Sequence, residues 1–287
     1  MLQVARLAPT LLGESRDLVR DFYLQRLNAD GGFQNRAGDS DLYYTVFGLE
    51  GLAALEQEMP AATPRFLERI GTGGDLDFVH LTCLARAWAT VRRAGAPDPV
   101  RESLVRRLET HRAADGGYPV GGAHEEGTPY GSFLALGALE DLGVEPPDRA
   151  SMLTSVLRMR AADGGFANHA GAAEGSTPAT AAAVLVMRHL DAEPDARVAD
   201  WLLARCHADG GFFAAPAVPV PDLLSTATAL HALVAMHADI SRIKEPCLDF
   251  VDSLWTNAGG FCGSWLDQTL DCEYTYYGLL ALGHLSL

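Results

Sequence analysis

Two kinds of helical segment alternate along the chain. The first kind, seen in "DLVRDFYLQRL", "RESLVRRLETH", "SMLTSVLRMR" and "ARVADWLLARC", keeps its charges on one side at helical spacing. The second, seen in "YYTVFGLEGLAAL", "YGSFLALGALEDL", "TAAAVLVMRHL" and "LSTATALHALVAM", is apolar nearly all round. A helix with one charged stripe has a face in water, whereas a helix that is apolar on every side is enclosed by others. The pattern therefore predicts outer helices alternating with inner ones.

Paired glycines punctuate the alternation. Their second member falls at 32, 74, 117, 165, 211 and 260, so that successive separations are 42, 43, 48, 46 and 49 residues and the chain divides into six units. Four of the turns are nearly the same text: "LNADGGFQN", "RAADGGYPV", "RAADGGFAN" and "CHADGGFFA". Glycine adopts the left-handed conformation at a helix C-terminus without a Cβ clash, a second glycine lets the chain reverse, and the following aromatic anchors the loop. Asp30, Asp115, Asp163 and Asp209 read as turn residues on this view, and Phe33, Tyr118, Phe166, Phe212 and Phe261 as anchors. A single helix pair cannot cover its own apolar surface, so the six must stack. An open stack needs polar caps, but no capping helix follows "YYGLLALGHLSL". The expected fold is all-α, an (α/α)6 barrel or toroid of six helix-hairpin repeats, with residues 1–287 as one domain.

Composition narrows the partners. Hydrophobic residues make up 48% of the chain, enough for a sizeable core. Twenty-two Lys and Arg stand against 37 Asp and Glu, a net charge of −15, and a field of that sign repels nucleic acid and anionic lipid. Apolar runs such as "AAAVLVM" at 181–187 fall short of the roughly 20 residues a bilayer crossing needs. The first 22 residues run on into a helical pattern containing acids, unlike a signal peptide, and the expected location is cytoplasmic. The cysteines at 83, 206, 247, 262 and 272 form no CxxC pair and read as buried thiols rather than as a disulfide framework or zinc knuckle.

Six DGGF-type turns, each between an outer and an inner helix, resemble the superfamily of protein prenyltransferase β subunits and the squalene-hopene and oxidosqualene cyclases. The resemblance covers nearly the whole chain, and a single toroid is more similar to a prenyltransferase β subunit than to a two-domain cyclase. It implies an apolar, aromatic-lined cavity at the end of the ring where the inner helices start. It also implies an isoprenoid-type ligand that is transferred or cyclised, and a helical α-subunit-like partner.

The catalytic residues of that superfamily carry over only in part. The transferase zinc is held by an Asp, a Cys two residues later and a His. Here Asp222 matches the first, Leu224 stands at the Cys position and Tyr274 at the His position. Asp271, Cys272 and Glu273 are successive helical residues pointing about 100° apart and do not converge on one metal unaided. The diphosphate-binding Arg and Lys are also missing, since "GGFFAAPAVPVPD" contains no base; Arg36, His124 and His169 are the remaining basic loop residues. Cyclases of the superfamily protonate an alkene or epoxide from an Asp-x-Asp-Asp motif. The nearest match is "GGDLDFVH", with Asp75 and Asp77, Phe78 in the last acidic position, and His80 at helical spacing as a partner.

Each unit carries acid just before or at the start of its inner helix: Asp39 and Asp41, Asp75 and Asp77, Glu125 and Glu126, Glu174, Asp222, and Asp271 with Glu273. Carboxylates there cap helix N-termini. They also make an acidic rim, which favours a cation or divalent ion and disfavours a free diphosphate. Aromatics accompany them, and Tyr43, Tyr44, Phe47, Phe78, Tyr130, Tyr274, Tyr277 and Trp265 are the candidate substrate-binding residues, since aromatic faces stabilise carbocations. The small residues Gly131, Ser132, Ala179, Thr180, Ser225 and Thr226 are expected to leave room in the cavity. Two functions are expected: an isoprenoid-handling enzyme resembling prenyltransferase β subunits that transfers or cyclises a prenyl chain, with Asp75 or Asp77 as the acid and His80 its partner if it protonates its substrate and Asp222 as the ligand position if it uses zinc, or a non-catalytic toroid that binds a hydrophobic ligand or a protein partner.

Overall fold

A computed structural model describes residues 1–92, 94–121 and 126–287. Two short helices, α1 (Leu2–Ala5) and α2 (Pro9–Leu12), precede six helix pairs. The outer and inner members are α3 (Arg16–Gln25) with α4 (Leu42–Ala54), α5 (Thr63–Ile70) with α6 (Phe78–Val91), and α7 (Asp98–Thr110) with α8 (Pro129–Asp141). Then come α9 (Arg149–Arg158) with α10 (Thr177–His189), α11 (Ala196–Leu203) with α12 (Leu223–Ala235), and α13 (Ser241–Ser253) with α14 (Cys272–Leu285). Phe33–Gln34 and Ser40–Asp41 form a two-residue antiparallel pair, β1 and β2.

Burial separates the two classes of helix. In α3 only Val19, Phe22 and Tyr23 are buried, a stripe at i, i+3 and i+4, while Leu18 and Leu24 remain exposed. In α14 burial runs the full length of the helix, from Cys272 to Leu285. The chain divides into two compact units, one made of Met1–Phe66 with Leu203–Leu287, the other of Leu67–Leu202.

The first unit joins the beginning and end of the chain. Inner helix α14 packs between α4 and α12, and α1 lies across it, with Gly283 admitting the Val4 carbonyl where a Cβ would clash. The sixth turn closes onto the first outer helix: a side chain at Gly260 would run into the Phe22 ring, and one at Gly259 into the Leu18 carbonyl. On the buried faces of α12 and α14, His231 Nδ1 and His284 Nε2 are 2.9 Å apart. In the second unit α8 packs between α6 and α10.

The repeated turn is built alike in both units. The first glycine has positive φ, 95° at Gly31 and 96° at Gly164, which an L side chain resists. The Asp before it folds back to accept the N–H of the second glycine, at 3.0 Å from Asp30 to Gly32 and 3.1 Å from Asp163 to Gly165. The aromatic that follows is buried, and its own N–H donates to a hydroxyl on the inner helix. The pairs are Phe33 with Thr45, Tyr118 with Ser132, Phe166 with Thr180, Phe212 with Thr226 and Phe261 with Thr275, at 2.9 to 3.4 Å. Ser132, Thr180 and Thr226 are fully buried in this role, and Gly131 makes way for the Tyr118 carbonyl. These small residues therefore serve the close approach of turn to helix, where open cavity was expected. The sixth turn has Ala258 in place of the Asp, and the second departs furthest, with Asp75 after its glycines and Leu81 at the hydroxyl position. There Arg107 of α7 donates to the carbonyls of Gly74 and Leu76 instead.

Candidate active site

The N-caps of the inner helices are Asp41, Asp77, Thr128, Ser176, Asp222 and Asp271, each accepting the N–H three residues on. This sets a common register. The residue two beyond each cap is Tyr43, Val79, Tyr130, Pro178, Leu224 and Glu273 in turn. Glu273 is the one carboxylate in that series.

In the first unit, Glu273 Oε1 accepts a hydrogen bond of 2.6 Å from the Tyr43 hydroxyl. Burial pushes the Glu273 carboxyl above its ordinary range, the Asp271 charge adds to this, and the bond from Tyr43 and the charge of Arg36 oppose it. Around the pair, Tyr43 meets Phe47 edge to face with centroids 5.0 Å apart, and Phe47 lies 5.7 Å from Tyr277 and 5.8 Å from Tyr276. Tyr44 stands 5.6 Å from Tyr43. Arg36, from the loop after the first turn, donates Nε to Asp271 Oδ2 at 2.9 Å and pairs with Asp267 at 3.4 Å. Its guanidinium also faces the Tyr274 ring at 5.5 Å. The cation of this group is thus engaged by two carboxylates.

Trp265 does not join these aromatics. It packs on Phe250 of α13 at 5.4 Å and donates to the Ser253 hydroxyl at 2.9 Å. Asp222 is occupied in capping, since it accepts both the N–H and the hydroxyl of Ser225 at 2.7 Å. Burial raises its carboxyl, against the pull of those bonds.

The second unit holds the other sequence candidates. Asp77 caps α6, accepts the His80 N–H at 2.9 Å and lies 2.8 Å from His80 Nδ1. Its side chain is 67% exposed. Slight burial works to raise the Asp77 carboxyl, but the bonds and charge of His80 outweigh it and leave the group below its ordinary range. Asp75 is exposed. Phe78 is buried against His111 at 5.3 Å and stacked near Tyr118 at 6.0 Å. Beside it opens a cleft of about 540 Å3, lined by Asp77, Phe78, Val79, the last residue of α7, Thr110, with His111 to Ala113 after it, and Pro119 to Gly121. Tyr130 is half-buried, and its backbone N–H lies 3.4 Å from the Asn168 side chain. His124 and Glu125 lie outside the described residues.

Zinc does not fit the donors at the transferase-like positions. The Asp222 oxygens are engaged by Ser225, Leu224 offers no donor atom, and Tyr274 turns its ring to Arg36. Among the described residues no three His, Cys, Asp or Glu side chains cluster to hold a metal ion, and no helix is long and apolar enough to cross a membrane.

The chain belongs to the prenyltransferase alpha-alpha toroid domain family, whose model matches residues 10–81, 81–191 and 179–286. Its fold class is accordingly the α/α toroid anticipated from the repeats. Among solved structures it is similar to the type II terpene cyclase MstE from Scytonema, at 12% identity over 96% of this chain and 97% of that one, TM-score 0.63. It is also similar to Candida albicans protein geranylgeranyltransferase-I complexed with GGPP, at 16% identity over 99% and 81%, TM-score 0.53. A third likeness is to the unsaturated glucuronyl hydrolase of Bacillus sp. GL1, at 18% identity over 98% and 96%, TM-score 0.61. No curated protein sequence matches at a significant level. Likenesses at these identities establish the fold, and chemistry has to be argued from the site.

Proposed function

We propose that the protein is an isoprenoid-handling enzyme of the cyclase type, which starts its reaction by protonating an alkene or epoxide from Glu273. The observation that carries this reading is the Glu273 carboxyl itself, half-buried, raised in pKa and bonded to Tyr43, whose ring leads on to those of Phe47 and Tyr277. A carboxylic acid must be held protonated in a poorly hydrated site to act on so weak a base as an alkene. Asp271, Cys272 and Glu273 place carboxylates at the first and third positions of an Asp-x-Asp-Asp pattern. Asp77 has the same spacing from Asp75, but its exposure and lowered pKa suit a helix cap better than a strong acid.

Proton transfer from Glu273 to the terminal carbon of the double bond forms a C–H bond and leaves a cation on its neighbour. Aromatic faces stabilise that charge as it moves along the chain. Loss of a proton ends the sequence, and the Glu273 carboxylate is reprotonated from water. Because Arg36 is bound by Asp267 and Asp271, the substrate of this reading carries no free diphosphate at this end. The substrate of the similar cyclase MstE, geranylgeranyl dihydroxybenzoate, is of that kind.

Incubating the protein with squalene, oxidosqualene and a geranylgeranylated phenol, with products followed by gas chromatography and mass spectrometry, tests the proposal. Cyclised product from the native chain and none from Glu273→Gln supports it; equal product from both overturns it. A second reading, a non-catalytic toroid that carries a hydrophobic ligand, draws on the unfit zinc positions Leu224 and Tyr274. Bound lipid recovered intact from the native protein, with no turnover, decides for it. A helical α-subunit-like partner belongs to the transferase reading, and activity of the isolated chain makes it unnecessary.

A further inference from the structure

Cys206 and Cys247 lie outside the acid and aromatic group, and neither takes part in the chemistry proposed above. Cys206 stands at the stem of the fifth turn, in a bridge pair with Phe212, and is half-buried. Cys247 follows Pro246 within α13 and is fully buried. Their sulfurs are 3.9 Å apart. The fifth turn is pressed onto this part of α13, because any side chain at Gly210 would meet the Pro246 carbonyl. The contact with Cys206 and the Gly211 N–H favour the Cys247 thiolate against the effect of its burial, while the same contact and burial push the Cys206 thiol up.

We infer that Cys206 and Cys247 form a reversible dithiol–disulfide site that closes on reaction with a low-molecular-weight disulfide of the glutathione type. Cys206 is the accessible thiol and reacts first. Once its sulfur swings away from Cys247 and gives up its proton to solvent, it attacks one sulfur of the external disulfide, forming a mixed disulfide and releasing one thiolate. The Cys247 thiolate then attacks the Cys206 sulfur, forming the internal bond and expelling the second thiolate. Two cysteine thiols are oxidised, the external disulfide is reduced to two thiols, and the two cysteine protons pass to them. The sulfurs need to approach by less than 2 Å to reach the roughly 2.05 Å of a disulfide, a shift within reach of χ1 rotation. The closed bond ties the fifth turn to α13 and shortens the unfolded chain across 41 positions.

The test is to treat the reduced full-length protein with oxidised glutathione and map the peptides by mass spectrometry. The expected result is one crosslink between the Cys206 and Cys247 peptides, loss of two of the five thiols, and a rise in Tm of several degrees that dithiothreitol reverses. Cys247→Ser should trap glutathione on Cys206, and Cys206→Ser should leave Cys247 unreacted. A glutathione adduct that persists on Cys206 in the native chain, a crosslink to a different cysteine, or no reaction at either thiol overturns the proposal.

Discussion

The Tyr43 hydroxyl reaches 2.6 Å to Glu273, joining the first inner helix to the last. Both residues stand two positions beyond an N-cap aspartate, so one register on neighbouring helices brings them together. The bond links the closure of the chain to its proposed chemistry, and substitutions can separate the two.

Glu273→Gln keeps the shape and removes the transferable proton. Product formation is expected to fall by about 10²–10⁴-fold, with ligand binding by Trp fluorescence unchanged. Tyr43→Phe removes a bond that favours the carboxylate, so the Glu273 pKa rises further. An acid works while protonated and fails above its pKa. The alkaline limb of the pH–rate profile should therefore move to higher pH in this variant, and a limb that stays in place or moves down counts against Glu273 as the acid.

Asp77→Ala and Asp222→Ala each remove an N-cap. Each is expected to cost about 1 kcal/mol in urea denaturation while most of the activity persists. A loss of activity beyond about 100-fold in stably folded Asp77→Ala would return the acid role to Asp77 and His80.

Gly260→Ala places a methyl group into the Phe22 ring, whereas Gly74→Ala meets nothing within 4 Å and lies outside the positive-φ region. Overpacking at a closed contact typically costs about 1–3 kcal/mol. The first variant should lose that much in chemical denaturation, and the second should match the native chain.

His231 and His284 give the fold a pH dependence. Burial holds both below their ordinary value, to about 2 and about 4, with a smaller contribution from the N-terminal charge. As pH falls below the unfolded value near 6.5, the unfolded chain takes up protons that the folded pair refuses. Stability should therefore be fully present above that pH and decline below it, the His284 contribution down to about pH 4 and the His231 contribution further still, to about 2. His284→Gln should flatten this slope when Tm is followed across the range.

Most of the architecture was legible in the chain because two independent signals repeat together. Helix amphipathicity gave the inner and outer classes, and the glycine pairs gave the breaks between them. The Thr and Ser hydroxyls that receive the turn N–H stand in the sequence 12 to 14 residues after each aromatic, yet three of them, Ser132, Thr180 and Thr226, read as small cavity-lining residues. Nothing in side-chain size says that a hydroxyl is committed to a backbone donor. The acid was harder still. Glu273 was set aside with Cys272 as part of a divergent metal set, and Asp77 was preferred because of its motif. Only the surroundings separate the two carboxylates: one sits among aromatic rings, the other faces water with a histidine beside it. Trp265 reads as an active-site aromatic from its loop position, whereas it packs on Phe250 and Ser253 of α13 and on His207.

In five of the six units a hydroxyl clamp fastens the connection at its root, where it leaves the glycine turn, and the N-cap fastens it again where the inner helix begins. Residues 35–39 and 214–220 are thereby short spans between two fixed points. The middle of 214–220 can be rewritten, shortened or exchanged with little disturbance to the helices, which makes it the natural place to graft new ligand selectivity, whereas 35–39 has to keep Arg36 for its bond to the α14 cap Asp271.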